Sequence, residues 1–266
     1  MPDVAGAKTF QTPAEAYDRF IGRYGGALAR EVIAAAGVRR GAQALDVGCG
    51  PGALATELVA ALGDDHVAAV EPSAPFAEAC RRRLPGVRVE VAAAEALPFG
   101  DATFDHALAQ LVLNFMVDPR AGAREMRRVT RPGGTVAAAV WDYRGEMTLL
   151  RAFWDAAAEE NPAAAGRDEG RSMPYCTPDA LHALWTSTDG LGDVRVSPVD
   201  VAADYDDFDD LWRPLEVGVG PAGAYAASLS APRRAVLADA LRRRLGGDSQ
   251  PFRLSARAWI VVGRAE

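Results

Sequence analysis

The sequence predicts a doubly wound α/β sheet, mostly parallel. Three observations carry that reading. A short apolar segment at 42–47 runs into Gly48-Cys49-Gly50-Pro51-Gly52, and a helical pattern follows at 56–62. A second apolar segment, 66–70, ends in Glu71, about 20 residues beyond that turn. Strand-like and helical segments then alternate as far as Trp141, which is the order of a parallel sheet with ligand groups at consecutive strand ends.

Composition sets the outer bounds. The 266 residues are 49% hydrophobic, enough for one large α/β domain with a full core, or a core plus a lid. No stretch approaches the ~18 uninterrupted apolar residues of a membrane span. The start, Met1-Pro2-Asp3-Val4, has neither the basic end nor the apolar run of a secretory signal. Cys49, Cys80 and Cys176 are odd in number and form no C-x-x-C, so neither a disulfide framework nor a zinc site is expected, and a reducing cytoplasm is the default. A net charge of −7 argues against nonspecific nucleic-acid binding. Lys8 is the only lysine, so the abundance of arginine reads as codon bias rather than as a functional patch.

The glycine turn decides the ligand class. Glycines let the chain turn sharply and leave no Cβ between backbone and ligand. The exposed amides and the positive helix end favour polar or anionic groups. An ordinary strand-to-helix turn is the plain alternative, but three glycines in five residues with Asp46 just ahead favour a cradle. A dinucleotide fingerprint is G-x-G-x-x-G; here the spacing is Gly48-x-Gly50-x-Gly52. Asp46-x-Gly48-x-Gly50-x-Gly52 resembles motif I of the class I S-adenosylmethionine (SAM) methyltransferases, in the methyltransferase type 11 and ubiquinone-biosynthesis-like family. The cofactor of that family has no phosphates and carries an ammonium and a carboxylate, which suits an acid beside bare backbone. The resemblance covers roughly residues 14–141. It implies a seven-stranded Rossmann-like sheet, with strand seven antiparallel between strands five and six.

Before the core, residues 14–24 and 27–36 read as helical, ending at Gly37. Tyr17, Phe20 and Tyr24 fall on one face. This segment reads either as a helix packed on the sheet edge or as a lid over the cofactor. The resemblance implies that Tyr17 and Arg23 reach the methionine carboxylate. It also implies that Glu71, followed by Pro72, accepts from the ribose hydroxyls, and that Phe76 packs on the adenine. Ser73 is placed to cap the next helix. Arg81-Arg82-Arg83 reads as a solvated helix face.

Residues 87–91 alternate and read as strand three. The segment from Ala92 to Phe99 resembles the family's G-D-A-E-A-L-P-F stretch, which reads the adenine edge. Ala93 stands where the family has aspartate, so the backbone groups of Ala94 and Glu95 are left to carry that contact. Strand four runs from Thr103 to Gln110, with Asp105 structural and His106 a core histidine. Gln110 is expected beside the cofactor and Asn114 toward the substrate. A helix at 119–129, a turn at 131–134 and strand five at 135–141 follow. Trp141, Asp142 and Tyr143 are expected where that strand opens into the site.

Beyond this the resemblance thins. Residues 147–159 read as a helix, 161–172 as a polar loop, and Thr177 caps a helix begun by Pro178. Residues 194–201 read as strand six. Asp204, Asp206, Asp207, Asp209 and Asp210 lack the glycine and distal glutamate of a calcium loop and read as a solvated helix start. An amphipathic helix with Leu237, Leu241 and Leu245 ends at Gly246, and 253–262 is the last strand.

The expected organisation is one domain. Its core is 37–144 with 189–204 and 252–264, and its lid is 10–36, 145–188 and 205–247. The expected activity is methyl transfer from SAM to a small-molecule acceptor, with no nucleic-acid, membrane or metal partner. One alternative is a protein of the same fold that binds SAM without methylating, as a cyclisation catalyst or sensor. Another is a nicotinamide-dependent dehydrogenase, which the glycine spacing and the missing Tyr-x-x-x-Lys pair oppose. The expected mechanism is positioning by Gln110, Asn114, Trp141 and Tyr143. His182 is the reserve base, with Tyr143 as a further candidate.

Overall fold

The computed structural model describes residues 18–246 and 251–266. A π-helical turn, Asp18–Gly22, leads into α1 (Arg23–Ala36). The chain then alternates through β1 (Ala44–Val47), α2 (Ala53–Leu62), β2 (Val67–Val70), α3 (Ala74–Arg83) and β3 (Arg88–Glu90). It continues through β4 (Phe104–Gln110), α4 (Pro119–Val129) and β5 (Thr130–Trp141). The remaining elements are α5 (Thr148–Glu160), a short α6 (Glu169–Ser172), α7 (Pro178–Thr186) and β6 (Leu191–Tyr205). Then come α8 (Phe208–Glu216), α9 (Gly220–Ser228), α10 (Ala231–Leu245) and β7 (Phe252–Ala265).

The seven strands form one sheet in the order β3-β2-β1-β4-β5-β7-β6. The first five are mutually parallel, and β7 runs antiparallel to both β5 and β6. This is the expected α/β fold, including the place of the last strand. Every residue of β1 and β2 is buried, which is why those strands read as apolar runs without alternation. The order reverses between β1 and β4, so a crevice opens at their carboxyl ends.

Several boundaries differ from the sequence reading. The first crossover helix begins at Ala53, three residues before Thr56, because Gly52 itself is the N-cap. The turn at 131–134 is the start of β5, offset from β4 by a register shift. The polar loop at 161–172 is folded into a 3-10 turn, Pro162–Gly166, and α6. Asn161 and Asp168 cap these two pieces with side-chain acceptors, a local signal too short to show as periodicity. Strand six is longer than 194–201 because it pairs with β7 along nearly its whole length.

The largest fully buried side chains include Trp141, Trp154, Trp185, Tyr24, Tyr205 and Phe153. They tie the additions to the sheet. Tyr24 on α1 meets the Trp141 ring edge-on at 5.8 Å, and its hydroxyl lies 3.1 Å from that of Tyr205 on β6. Trp185 on α7 donates its indole N–H to the Val136 carbonyl of β5 at 3.1 Å. Among the described residues, no helix is long and apolar enough to cross a membrane.

Candidate active site

The site is built outward from the turn after β1. The amides of Gly48 and Cys49 both donate to the Val70 carbonyl at 2.9 Å, which fastens the turn to the end of β2. Gly48 has φ +74°, and a Cβ there would lie 2.5 Å from a Val112 methyl. Gly52, at φ +98°, would bring one to 3.0 Å from the Cys80 sulfur. These two glycines are demanded by backbone conformation and close packing. Gly50 differs, since nothing lies within 4 Å of its Cβ position. Its amide donates to one Glu71 carboxylate oxygen at 2.9 Å, and the Ser73 amide donates to the other at 2.8 Å. Ser73 occupies the N-cap of α3, but its own side chain makes no capping bond. Burial pushes the Glu71 carboxyl above its ordinary range, against the pull of the Ser73 and Gly50 amides.

Asp46 lies one residue before the end of β1 and is fully buried. Neither of its carboxylate oxygens has a hydrogen-bond partner among the described residues. Burial, and then the neighbouring Cys80 and Glu71, push its carboxyl well above the usual range, against the pull of the Ala55 backbone amide at the start of α2. A carboxyl group buried without partners is costly, and any ligand or water that supplies donors relieves that cost.

Gln110 closes β4 on the other side of the crevice. Its Nε2 donates to the Gly25 carbonyl of α1 at 3.1 Å, while its Oε1 is buried without a partner among the described residues. The next residue, Leu111, is a non-glycine held at φ +63°, backbone strain of the kind that clusters at functional sites. Asn114 accepts the Tyr175 amide at 3.0 Å, and its Nδ2 is buried with no partner among the described residues. Phe76 is buried and Pro72 half-buried at the start of α3. Ala94 is buried. One oxygen of the Glu95 carboxylate accepts the amides of Val117 and Asp118 at 2.8 and 3.1 Å, which ties its loop to the start of α4.

Beyond the end of β5 lies a cavity of about 30 Å³. Phe20, Leu111, Phe115, Trp141, Tyr143 and Leu150 line it, and Val219, Gly220 and Pro221 cover it. Glu169 is the carboxyl group on its wall. The sequence reading missed Glu169, which sits in the segment taken as a polar loop and matches no motif. Trp141 and Tyr143 are therefore together at one pocket; Asn114 is not among its lining residues, although its chain neighbour Phe115 is.

Three expectations come out differently. Arg23 is engaged away from the crevice: its guanidinium makes two 3.0 Å bonds to Asp210 and one of 2.8 Å to the Asp204 carbonyl, and lies 4.2 Å above the Tyr205 ring. His182 is exposed on α7, beside Thr186. That helix is anchored by Trp185 to Val136 in the middle of β5, and His182 is not among the residues that line the cavity beyond that strand. The acidic cluster is a helix start, with Asp207 capping α8, but Asp210 and Asp204 are also ion-paired, to Arg23 and Arg253. Tyr17 lies outside the described residues, as do residues 10–17 of the expected 10–36 lid segment. Asp105, as expected, is structural: it accepts the Gln43 amide at 2.7 Å and pairs with Arg131. Burial lowers the pKa of His106, whose Nδ1 has no partner among the described residues.

Comparison with known proteins fits this geometry. Residues 45–138 match the family model described as a methyltransferase domain. A malonyl-[acyl-carrier protein] O-methyltransferase of Pseudescherichia vulneris is 33% identical over 125 residues, 47% of this chain and 49% of that one. A demethylmenaquinone methyltransferase of Renibacterium salmoninarum is 29% identical over 162 residues, 61% of this chain and 68% of that one. The chain spans about half the length of several curated relatives that it matches. A structure assigned as a type II methyltransferase from Anaeromyxobacter dehalogenans superposes with a TM-score of 0.62 at 24% identity, over 90% of this chain and 95% of that one. That likeness shows the shared fold.

Proposed function

We propose, on the premise that residues 45–138 form a methyltransferase domain of the class I fold, that this chain binds SAM at the carboxyl ends of β1, β2 and β4 and methylates a small-molecule acceptor. One observation carries the reading. Buried polar atoms without hydrogen-bond partners among the described residues, both Asp46 oxygens and Gln110 Oε1, flank a turn whose central Gly50 has none of those residues within 4 Å of its Cβ position. A polar ligand lying over Gly50 would supply the missing partners.

SAM, when bound, supplies an electrophilic methyl on a sulfonium. The chain's own residues have to hold and orient. Glu71 keeps lone pairs beyond the two amides it accepts, and these suit ribose hydroxyls. Pro72, Phe76, Ala94 and Glu95 border the adenine side, with Glu95 contributing backbone. Gln110 lies between the glycine turn and α1. Tyr17 keeps the role that the resemblance gives it, whereas Arg23 acts through the roof that it pins to Asp210. Asn114, Trp141 and Tyr143 shape the acceptor pocket, and positioning of this kind can supply ~7–11 kcal/mol in favourable cases. The sheet is the core of a single catalytic unit, and the segments 145–188 and 205–247 form much of its roof. The free cysteines fit a reducing, cytoplasmic setting.

The test is incubation of the protein with cell extract and methyl-labelled SAM, followed by mass spectrometry of small molecules. A new labelled product supports the reading. Tight SAM binding with no labelled product selects the non-methylating alternative.

A further inference from the structure

Glu169 has no assigned task, and its surroundings give it one. It opens α6 behind Asp168, the N-cap, whose carboxylate accepts the Gly170 amide at 2.8 Å. Both acids are buried. Arg151 of α5 is spent on Asp168 at 2.8 Å and Asp155 at 3.0 Å. Glu169 makes no ion pair among the described residues; its Oε2 accepts the indole N–H of Trp154. Burial, opposed by that bond, raises its carboxyl to about 7.

The bland reading is that Glu169 only satisfies Trp154. A glutamine would offer the indole the same acceptor without burying an ionisable group, so that need does not explain a carboxyl here. The wall on which it stands is otherwise made of apolar and aromatic residues, among them Phe20, Leu111, Phe115, Trp141, Tyr143 and Leu150. About 30 Å³ admits one or two water-sized groups, so only the reacting head of an acceptor enters.

We propose that Glu169 receives a hydroxyl borne by an otherwise apolar acceptor and takes up its proton. The oxygen keeps the O–H bonding pair, and the proton passes to the carboxylate. The acceptor class is thus an apolar alcohol or phenol, an assignment that rests on the methyltransferase reading above.

Among the described residues, the other ionisable groups around Glu169 are Asp168 and Arg171 on its own turn, Arg151 and Asp155 from α5, Tyr143 and Arg144 after β5, and Cys176, whose thiol donates to the Gly170 carbonyl. The π-helical turn and the α9 roof face the cavity with Phe20, Ile21, Val219, Gly220 and Pro221, which carry no charge.

The test uses the full chain with two probes, phenol and its methyl ether anisole, titrated at pH 5.5 and 8.5. SAM affinity is measured on the same samples. Phenol should bind at least fivefold more tightly at pH 8.5, and anisole should show no such change. Glu169→Gln should abolish the pH effect while SAM affinity stays within twofold. If that variant does not fold, Trp154→Phe serves instead: losing the indole donor should move the midpoint of the phenol profile to higher pH. Absent phenol binding, a pH-independent phenol affinity, or an unchanged profile in the variants would overturn the proposal. SAM binding without the phenol effect sinks this inference alone, whereas failure to bind SAM sinks the functional reading itself.

Discussion

The Glu71 carboxylate accepts the Gly50 amide at 2.9 Å, joining the end of β2 to the apex of the turn after β1. One acid therefore fixes the cradle and borders it. Glu71→Ala should weaken SAM binding by about 1–3 kcal/mol, through lost charged hydrogen bonds and a loosened turn. Calorimetry on the folded variant checks this. Undiminished affinity would remove Glu71 from the site.

Gly48 tolerates no side chain, because its φ is positive and a Cβ would strike Val112 at 2.5 Å. Gly48→Ala should lower unfolding stability by roughly 1–3 kcal/mol. Adding Val112→Ala removes the methyl contact at 2.5 Å but keeps the Cβ of residue 112 at 2.9 Å and leaves the backbone strain. Chemical denaturation of the double variant should therefore show partial recovery, and full recovery would remove the conformational part of the argument.

Arg23 and Asp210 hold the first helix to the roof segment by two 3.0 Å bonds in a partly exposed setting. A double-mutant cycle with Arg23→Gln and Asp210→Asn should give a coupling of about 1 kcal/mol in stability, limited by solvent screening. The two single variants should also change SAM affinity alike, since each opens the same link. A much larger effect of Arg23→Gln would restore it to direct contact with the cofactor.

Glu169 makes stability depend on pH. Its folded pKa is raised to about 7, above the ordinary 4.5, so the folded chain holds a proton that the unfolded chain releases between those values. Stability should fall as pH rises across that window, by up to about 3 kcal/mol relative to Glu169→Gln. Urea unfolding of both proteins at pH 5 and 8 measures the difference. Parallel pH dependence would show that Glu169 titrates normally.

The parallel half of the fold was legible because its signals are local. Gly48, Gly50 and Gly52 announce a turn, and Glu71 follows at the distance that a strand-helix-strand unit sets. The paired antiparallel strands were legible only in outline, since β6 and β7 lengthen by pairing with each other across the three helices α8, α9 and α10. Arg23 shows the limit of a resemblance. Its position on the first helix was readable, but its partner Asp210 is 187 residues away. His182 was a candidate by residue type alone, and the anchoring of Trp185 to Val136 decides its place. Glu169 was invisible for the opposite reason, because its chemistry comes from burial against Trp154 rather than from any neighbour in the chain.

Isothermal titration calorimetry with SAM and with NAD tests the central claim most directly. The geometry around Asp46, Gly50, Glu71 and Gln110 predicts saturable heat for SAM and none for NAD. NAD binding with no binding of SAM would contradict it.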